Sequence, residues 1–303
     1  MILVTGGSGV LGRALVKKLL ADGEEVHVLS SADGDLREPA VVQSLFARHR
    51  PKTVYHLAAK VHGLGGNTTF PGEMFADNVR INVNVIDSAR LNGCEKIIAV
   101  STVATYSSEA PKPVREDAIW QGPPHGSELA YGHAKRAMLA QLEAYARQYG
   151  MSFAYPILTN IYGPEDRFDI VHGHVVPSLV AKFHAAARDG SGVSVWGTGR
   201  AERDFIYADD AATALVRINE AFEGPINVAT GRIVPVRSIV EILAGISGVE
   251  KVEWDSSKPD GQLERSYDVS KLEALGFIPA TSIEDGLKKT YEWYAQNYPN
   301  VRQ

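Results

Sequence analysis

The first 160 residues alternate between short apolar runs and segments in which apolar side chains recur every three or four residues. The apolar runs, which are typical of buried strands, cover residues 2–5, 25–29, 53–59, 96–100 and 153–158. The segments between them have the spacing of amphipathic helices. Strands that are separated by helices in this way predict a parallel sheet covered on both faces. We therefore predict an α/β fold with a doubly wound, Rossmann-type sheet.

The pattern becomes less regular after residue 160. A long stretch interrupted by glycine and proline precedes a helix, two short strands, a further helix and strand, and two amphipathic helices near the C-terminus. We predict a dinucleotide-binding domain at residues 1–160, to which part of 204–230 returns. Residues 161–303 are expected to form a smaller α/β domain that binds the substrate.

Composition excludes several classes of function. The chain has 303 residues, a formal net charge of −5 and one cysteine, Cys94. It lacks the basic stripe of a nucleic-acid-binding protein and any run of the roughly 18 apolar residues that span a membrane. Its first residues lack the charged segment of a signal peptide, and one cysteine cannot form an intrachain disulfide or a cysteine-rich metal site. We expect a cytoplasmic protein without nucleic-acid, membrane or metal partners.

The segment VTGGSGVLGRAL joins the first predicted strand to the first predicted helix. Gly6 allows a tight turn, Gly9 lets the backbone approach a pyrophosphate, and Gly12 lets the helix pack closely on the strand. The N–H groups at the start of the helix, around Val10 and Leu11, attract an anion. A glycine-rich turn without a ligand has the same spacing, but its place at the first strand–helix junction favours a dinucleotide site.

The end of the second predicted strand bears on the choice of dinucleotide. NAD sites usually carry Asp or Glu there, which binds the ribose hydroxyls. Ser30 and Ser31 occupy this position, and they leave room for a 2′-phosphate that Arg13 or Arg37 would neutralise. We predict NADP, with NAD as the alternative. The residues expected at the adenine edge are Asp35 and Leu36.

Three residues form a candidate catalytic set. Tyr131 and Lys135 are four residues apart in a predicted helix, so they share a face. Thr102 follows a strand at the end where open parallel sheets bind ligands. Lys135 would favour the tyrosinate and hold the nicotinamide ribose, Tyr131 would exchange a proton with a substrate oxygen, and Thr102 would donate a second hydrogen bond to it. Taken singly, each residue also fits a solvated helix face or a loop cap.

The order of these features resembles that of the extended short-chain dehydrogenase/reductases, and more closely that of the GDP-L-fucose synthases (GDP-4-keto-6-deoxy-mannose 3,5-epimerase/4-reductases). The segments that carry the resemblance are HLAAKVHGLGGN, LTNIYGPEDRFD, HGHVVPSLVAKFHAA, VWGTGRAERDFIYADDAA, INVATG and SKPDG. They extend over nearly the whole chain. The resemblance implies the fold, NADP chemistry and a homodimer formed through the helices that hold residues 75–92 and 127–149.

The resemblance also implies roles for individual residues. Thr102, Tyr131, Lys135 and His174 match the catalytic serine, tyrosine, lysine and histidine of the family. Further contacts to the cofactor are expected from Leu57, Ala58, Ala59, Lys60, Asn160 and Ile161. Contacts to the nucleotide sugar are expected from Asn67, Thr102, Val103, His174, Val175, Lys182, Trp196, Arg203 and Lys258. Cations suit a diphosphate, and an aromatic wall suits a guanine or sugar plane.

Two positions depart from the family pattern. The family reads Ser-Ser-Cys-Ile-Tyr-Pro after the fourth main strand, and its cysteine is an acid/base for inversion at the carbons beside the ketone. Ala104 occupies that position here and cannot move a proton. Ser8 replaces an arginine of the glycine loop. The reduction triad is therefore retained while one half of the epimerisation pair is missing. A dehydratase is disfavoured because that branch has an Asp-Glu pair where Val103 and Ala104 stand.

We predict that the chain reduces a GDP-4-keto-6-deoxy sugar at C4 with NADPH. The full GDP-L-fucose synthase reaction is an alternative, as is an NAD-dependent nucleotide-sugar 4-epimerase or GDP-sugar 4-dehydrogenase. An alternative from another class is a catalytically silent nucleotide-binding module. The sequence leaves open whether the sugar is a deoxyhexose or a deoxyheptose, and only the resemblance implies the base.

Overall fold

A parallel sheet forms the centre of the molecule. The computed structural model describes residues 1–61, 69–170, 173–258, 260 and 262–302. In these residues the sheet contains β1 (Ile2–Thr5), β2 (Val26–Leu29), β3 (Thr53–His56), β4 (Lys96–Ala99), β5 (Ser101–Thr102), β6 (Ser152–Leu158) and β10 (Gly224–Val228). The strand order is β10-β6-β4-β3-β1-β2, and β5 pairs with β6 in line with β4.

Helices cover both faces of this sheet, so the predicted doubly wound α/β fold is confirmed. The flanking helices are α1 (Val10–Ala21), α2 (Pro39–His49), α3 (Pro71–Leu91), α4 (Leu129–Tyr149) and α6 (Ala208–Ala221). Helices α1 and α6 pack together on one face, and α3 packs against α2 and α4 on the other. In β1, Leu3 joins the core under α2–α4, whereas Ile2 and Val4 join the core under α1 and α6. This split follows from the alternation of side chains along a strand.

The order of the strands fixes the place of a ligand. β1 has β2 on one side and β3 on the other, so the chain leaves β1 and β3 toward opposite faces of the sheet. A crevice opens at the carboxyl ends of strands at such a switch point. The glycine loop follows β1 and residues 57–60 follow β3, so both segments lie at this crevice.

The second half of the chain contains two smaller sheets and their helices. Its elements are β7 (Asn160–Tyr162), α5 (Val175–Asp189), β8 (Val193–Trp196), β9 (Glu202–Tyr207), β11 (Ile233–Pro235), α7 (Val236–Ser247), β12 (Val252–Asp255), β13 (Glu264–Arg265), α8 (Ser270–Ala274) and α9 (Ile283–Asn297). β9 is the central strand of one sheet and pairs with β7, β11 and β13, while β8 pairs with β12. A third apolar cluster, which includes residues of α5, α7 and α9, forms the core of this part.

The chain crosses repeatedly between the two halves. β9 runs directly into α6, and β10 then joins the edge of the large sheet beside β6. Leu272 of α8 also packs in the core of the large sheet, whereas Leu287 of α9 packs in the third cluster. Among the described residues, the structure has no helix that is long and apolar enough to cross a membrane.

Candidate active site

The glycine loop forms a cradle that a larger residue would fill. Gly6 has a φ of 73°, in the left-handed region that favours glycine. A Cβ on Gly12 would collide with the carbonyl oxygen of Gly6, and a Cβ on Gly6 would lie 2.6 Å from the amide nitrogen of Ala58. Gly9 caps α1 without a side-chain hydrogen bond, and the first turn has no acidic residue. The free N–H groups of this turn therefore fit the pyrophosphate of a dinucleotide.

A carboxylate also stands at the end of β2, where Ser30 and Ser31 were expected to leave room for a 2′-phosphate. Asp33 folds back, and its Oδ2 accepts hydrogen bonds of 2.8 Å from both the backbone N–H and the hydroxyl of Ser30. These bonds hold the pKa of the Asp33 carboxyl below its usual value. An ionised carboxylate therefore lies beside Ser30 and Ser31, at the position where dinucleotide-binding folds read the adenosine ribose.

The cations that were expected to neutralise a 2′-phosphate have acidic partners. Arg13 forms a 2.6 Å ion pair with Glu165. Arg37 pairs with Asp35 at 2.6 Å and with Asp77 at 3.1 Å. The Arg37 guanidinium lowers the pKa of Asp35 to about 2, so this pair is fully charged at neutral pH. These arginines would have to change partners to bind a phosphate.

Residues 57–60 are fixed from two sides at the end of β3. Leu57 and Ala58 lie against Gly6 of the glycine loop. Lys60 exchanges backbone hydrogen bonds of 3.0 and 2.9 Å with the amide side chain of Asn78 in α3, and its ammonium lies 2.7 Å from the carboxylate of Asp77. Ala59 is held between these contacts. The segment therefore forms the wall of the crevice opposite α1.

Thr102 ends β5, and its hydroxyl oxygen accepts a 3.2 Å hydrogen bond from the backbone N–H of Ala104. This bond uses the oxygen as an acceptor and leaves the hydroxyl proton available to donate. Residues Val103–Thr105 then form a short 3₁₀ turn, in which Val103 and Ala104 are buried. Ala104 offers no titratable group at this point of the site.

Lys135 is a buried amine. It is 2% exposed, and its Nζ donates a 2.8 Å hydrogen bond to the carbonyl oxygen of Val100. Burial lowers the pKa of Lys135 to about 7. Its own carbonyl accepts a 2.8 Å hydrogen bond from the Tyr155 hydroxyl, which in turn accepts one of 2.7 Å from Ser101. This buried chain of hydrogen bonds ties α4 to β5 and β6 directly behind the site.

Tyr131 lies next to Lys135, whose Nζ is 5.8 Å from the centre of its ring. We expected the lysine charge to favour the tyrosinate, but burial raises the pKa of Tyr131 above its usual value. The side chain is therefore a neutral phenol, which is a proton donor. The Tyr131 hydroxyl has no hydrogen-bond partner among the described residues, so it remains open to a ligand.

Close packing holds the start of α4, which carries Tyr131, against the turn that follows Thr102. A Cβ on Gly132 would lie 2.5 Å from the carbonyl oxygen of Ala104, so α4 rests directly on the 3₁₀ turn. Arg136 reinforces this contact, because its Nε donates to the carbonyl of Thr105 at 2.8 Å. Thr102, Tyr131 and Lys135 are thus brought together at the carboxyl edge of the sheet.

His174 occupies the N-cap position of α5, and the next residue, Val175, is exposed. Burial lowers the pKa of His174 below its usual value. The charge of Arg167 also lowers this pKa, and the charge of Glu128 raises it by less than burial lowers it. The imidazole is therefore neutral at neutral pH.

Most of the residues expected to bind the nucleotide sugar lie on the second half of the chain. Trp196 is 62% exposed, so it is not a core residue, and the Nζ of Lys258 lies 5.7 Å from the centre of its ring. Lys182 donates to the carbonyl of Ser194 at 3.2 Å. Arg203 donates to the carbonyl of Glu202 at 2.8 Å. The expected residues Asn160 and Ile161 form part of β7, and Asn67 lies outside the described residues.

Sequence reasoning missed three charged residues of this region, namely Asp33, Glu128 and Arg265. Glu128 stands one helical turn before Tyr131, and Asp33 follows Ser31 by two positions, so their places were weak signals in the sequence. No local feature of the sequence indicated that Arg265 lies in this region. Within the part of the chain that the structure describes, no three His, Cys, Asp or Glu side chains group as a metal site would require.

The model of the NAD dependent epimerase/dehydratase family matches residues 2–229. The chain belongs to this family. It is 37% identical to GDP-L-fucose synthase 1 of Arabidopsis thaliana over 99% of this chain and 94% of that protein. A GDP-L-fucose synthetase of Naegleria fowleri, solved with NADP bound, has a TM-score of 0.91 at 30% identity and covers 100% of this chain and 96% of its own. A GDP-6-OMe-4-keto-L-xylo-heptose reductase of C. jejuni has a TM-score of 0.92 at 26% identity, with 98% and 97% covered.

Replacement of Tyr131 by phenylalanine removes the proton donor and keeps the ring. We expect kcat for the reduction of a 4-keto nucleotide sugar to fall at least about 100-fold, the lower range for a positioned general acid. Dinucleotide affinity, measured by fluorescence titration, should remain unchanged. Tyr298→Phe, at an exposed tyrosine that follows α9, is the control and should keep full activity. A near-normal rate for Tyr131→Phe would exclude the assigned role.

Proposed function

We propose that this protein reduces the C4 ketone of a GDP-4-keto-6-deoxy sugar with NADPH. The observation that carries the proposal is the intact set of Thr102, Tyr131 and Lys135 beside Ala104. The set suffices for ketone reduction, while the alanine stands where epimerising members of the family carry their cysteine. The similarity to GDP-L-fucose synthases and to a GDP-4-keto-heptose reductase supports the GDP-linked 4-keto sugar as the substrate class.

The groups of the site divide the reaction between them. Bound NADPH supplies the hydride. Tyr131 donates its proton to the oxygen at C4, and Thr102 donates a hydrogen bond to the same oxygen, which carries the developing negative charge. Lys135 has a pKa of about 7, so its protonated form is accessible at neutral pH. Its charge, close to the ring of Tyr131, stabilises the tyrosinate that remains after proton transfer.

The full GDP-L-fucose synthase reaction is the second candidate. The retained His174 and the 37% identity to a plant enzyme of that name favour it. Inversion beside a ketone requires a base on one face of the carbon and an acid on the other, and His174 supplies only one of them. Ala104 therefore supports reduction without double inversion. The assembled triad argues against a catalytically silent nucleotide-binding module.

The assignment of NADPH depends on the end of β2. Ser30 and Ser31 leave space for a 2′-phosphate, and the similarity to a structure that binds NADP supports this cofactor. The carboxylate of Asp33 is the observation that favours NAD, and with it a 4-epimerase or 4-dehydrogenase, because it would accept from ribose hydroxyls. We place NADPH first because a structure with NADP bound has the same fold and is 30% identical to this chain.

We further propose a cytoplasmic homodimer. Helices α3 and α4 lie side by side and carry large apolar side chains that are exposed to solvent: Phe75, Val83, Leu91, Leu129 and Tyr149. A groove between the two helices is lined by further apolar residues, among them Val79 and Met138. Two copies of this face would bury these side chains in a symmetric four-helix interface.

The cofactor assignment predicts that NADPH gives a higher kcat/KM than NADH. Asp33→Asn should raise this preference several-fold, since it removes a negative charge beside the expected 2′-phosphate. Asp22→Asn, which removes an exposed charge at the end of α1, serves as the control. Equal use of both cofactors, or NAD that co-purifies and exchanges slowly, would instead favour the epimerase or dehydrogenase.

The loss of the family cysteine predicts reduction without inversion. In deuterated water, GDP-4-keto-6-deoxy-mannose should be reduced with little deuterium at C3 or C5, as read by NMR of the product. Ala104→Cys should increase the incorporation, because it restores an acid/base at the buried turn. Any slow exchange at one site should disappear in His174→Gln while reduction continues. Clean GDP-L-fucose with deuterium at both carbons would contradict this assignment.

The dimer proposal predicts that Val83→Lys yields a monomer. A charge in the centre of an apolar interface lacks a partner and opposes association. Size-exclusion chromatography with light scattering measures the mass. Leu20→Lys, which replaces an exposed leucine on α1, is the control and should leave a dimer. A wild-type monomer at micromolar concentration would contradict the proposal.

A further inference from the structure

An ion pair connects the two halves of the chain beside the catalytic tyrosine. Glu128 immediately precedes α4, and Arg265 belongs to β13. Nη2 of Arg265 lies 2.7 Å from Oε2 of Glu128, and Nη1 lies 3.4 Å from Oε1. The contact is therefore bidentate. The side chains are 16% and 18% exposed. The pair is thus largely desolvated, while a small part of each side chain stays accessible.

Arg265 is held in place by more than its acidic partner. Its Nε donates a 2.6 Å hydrogen bond to Gln262, whose amide donates at 3.3 Å to the carbonyl of Ser108 in the loop that follows the catalytic turn. In β9, Arg203 stands directly opposite Arg265 in the register of the two strands. Arg203 has no carboxylate within ion-pair distance among the described residues.

The two arginines therefore differ in whether a carboxylate neutralises their charge. The Glu128–Arg265 pair is neutral as a unit, whereas Arg203 is a partly buried cation that lacks an acidic partner. An unneutralised cation attracts a diphosphate. A neutral pair does not, but it presents an anionic acceptor and cationic donors side by side, which matches neighbouring hydroxyl groups that both donate and accept.

The position of the pair suits a ligand group close to the reacting carbon. Glu128 lies one helical turn before Tyr131, on the same helix face. Its charge also acts on the imidazole of His174, which begins α5 on the other half. The ion pair therefore lies at the start of the helix that carries Tyr131, while Trp196 and Lys258 form a separate contact on β8 and the loop after β12.

We propose that the Glu128–Arg265 pair recognises the sugar by binding hydroxyl groups of its ring. The diphosphate is left to Arg203, which the family resemblance already implies as a contact of the nucleotide sugar. The proposal rests on the proposed function in one respect, namely that the substrate is a nucleoside diphosphate sugar. It names the pair as a determinant of sugar specificity, and it separates the recognition of the sugar from that of the nucleotide.

The test compares the affinity for GDP with that for GDP-mannose, measured by calorimetry in the presence of NADP. The double variant Glu128→Gln/Arg265→Gln removes both charges and keeps the net charge. It should bind GDP-mannose about 10-fold more weakly, as expected for the loss of a charge-assisted hydrogen bond, and GDP within twofold of wild type. Arg203→Gln should weaken both ligands by the same factor. Lys52→Gln/Glu95→Gln, an exposed pair far from the site, should change neither affinity.

Three results would overturn the inference. If the double variant bound both ligands with unchanged affinity, the pair would have only a structural role between the two halves of the chain. An equal loss for both would assign it to the diphosphate or to folding. A wild-type protein that binds GDP-mannose no more tightly than GDP would leave no sugar contact to explain. Failure of the proposed function has a different signature, because the wild type would then bind neither GDP ligand.

Discussion

The geometry of the candidate active site depends on the burial of one amine. Lys135 is almost fully enclosed, and within the described part of the chain its ammonium has one hydrogen-bond partner, the carbonyl of Val100. Charge in such a place is costly unless it is compensated, which is why the pKa of Lys135 falls to about 7. The hydrogen bonds from Ser101 through Tyr155 and the close contact at Gly132 hold the helix that positions this amine. The same contacts position Tyr131, so one packing arrangement sets both groups.

Much of this arrangement could be predicted from the sequence, because it follows from short-range regularities. Apolar runs and helical spacing gave the strands of the large sheet, and the i, i+4 rule gave the shared face of Tyr131 and Lys135. The exposure of Trp196 was also encoded, since it alternates with the buried Val193 and Val195 along β8. That alternation was a clearer signal than the aromatic character of the residue.

The partners of charged side chains could not be predicted in the same way. Arg37 meets Asp77 across 40 residues, and Arg265 meets Glu128 across 137. Such pairs depend on how distant elements pack, and neither periodicity nor composition carries that information. The turn at Asp33 is local, yet a carboxylate three residues after Ser30 can point either to solvent or back to the strand. Only the tertiary context of the β2 end decides between these orientations.

The path of the chain between its two halves has a consequence for how such enzymes diversify. β9 continues without a loop into α6, β10 completes the large sheet, and α8 returns to its core before α9 leaves it again. A break near residue 160 would strip β10 from β6 and expose an edge strand together with the apolar face under α6. The second half of the chain is therefore not a unit that recombination could exchange in one piece. New sugar specificities in this architecture would arise by substitution within loops and at single positions such as Arg265, while the interleaved framework is inherited whole.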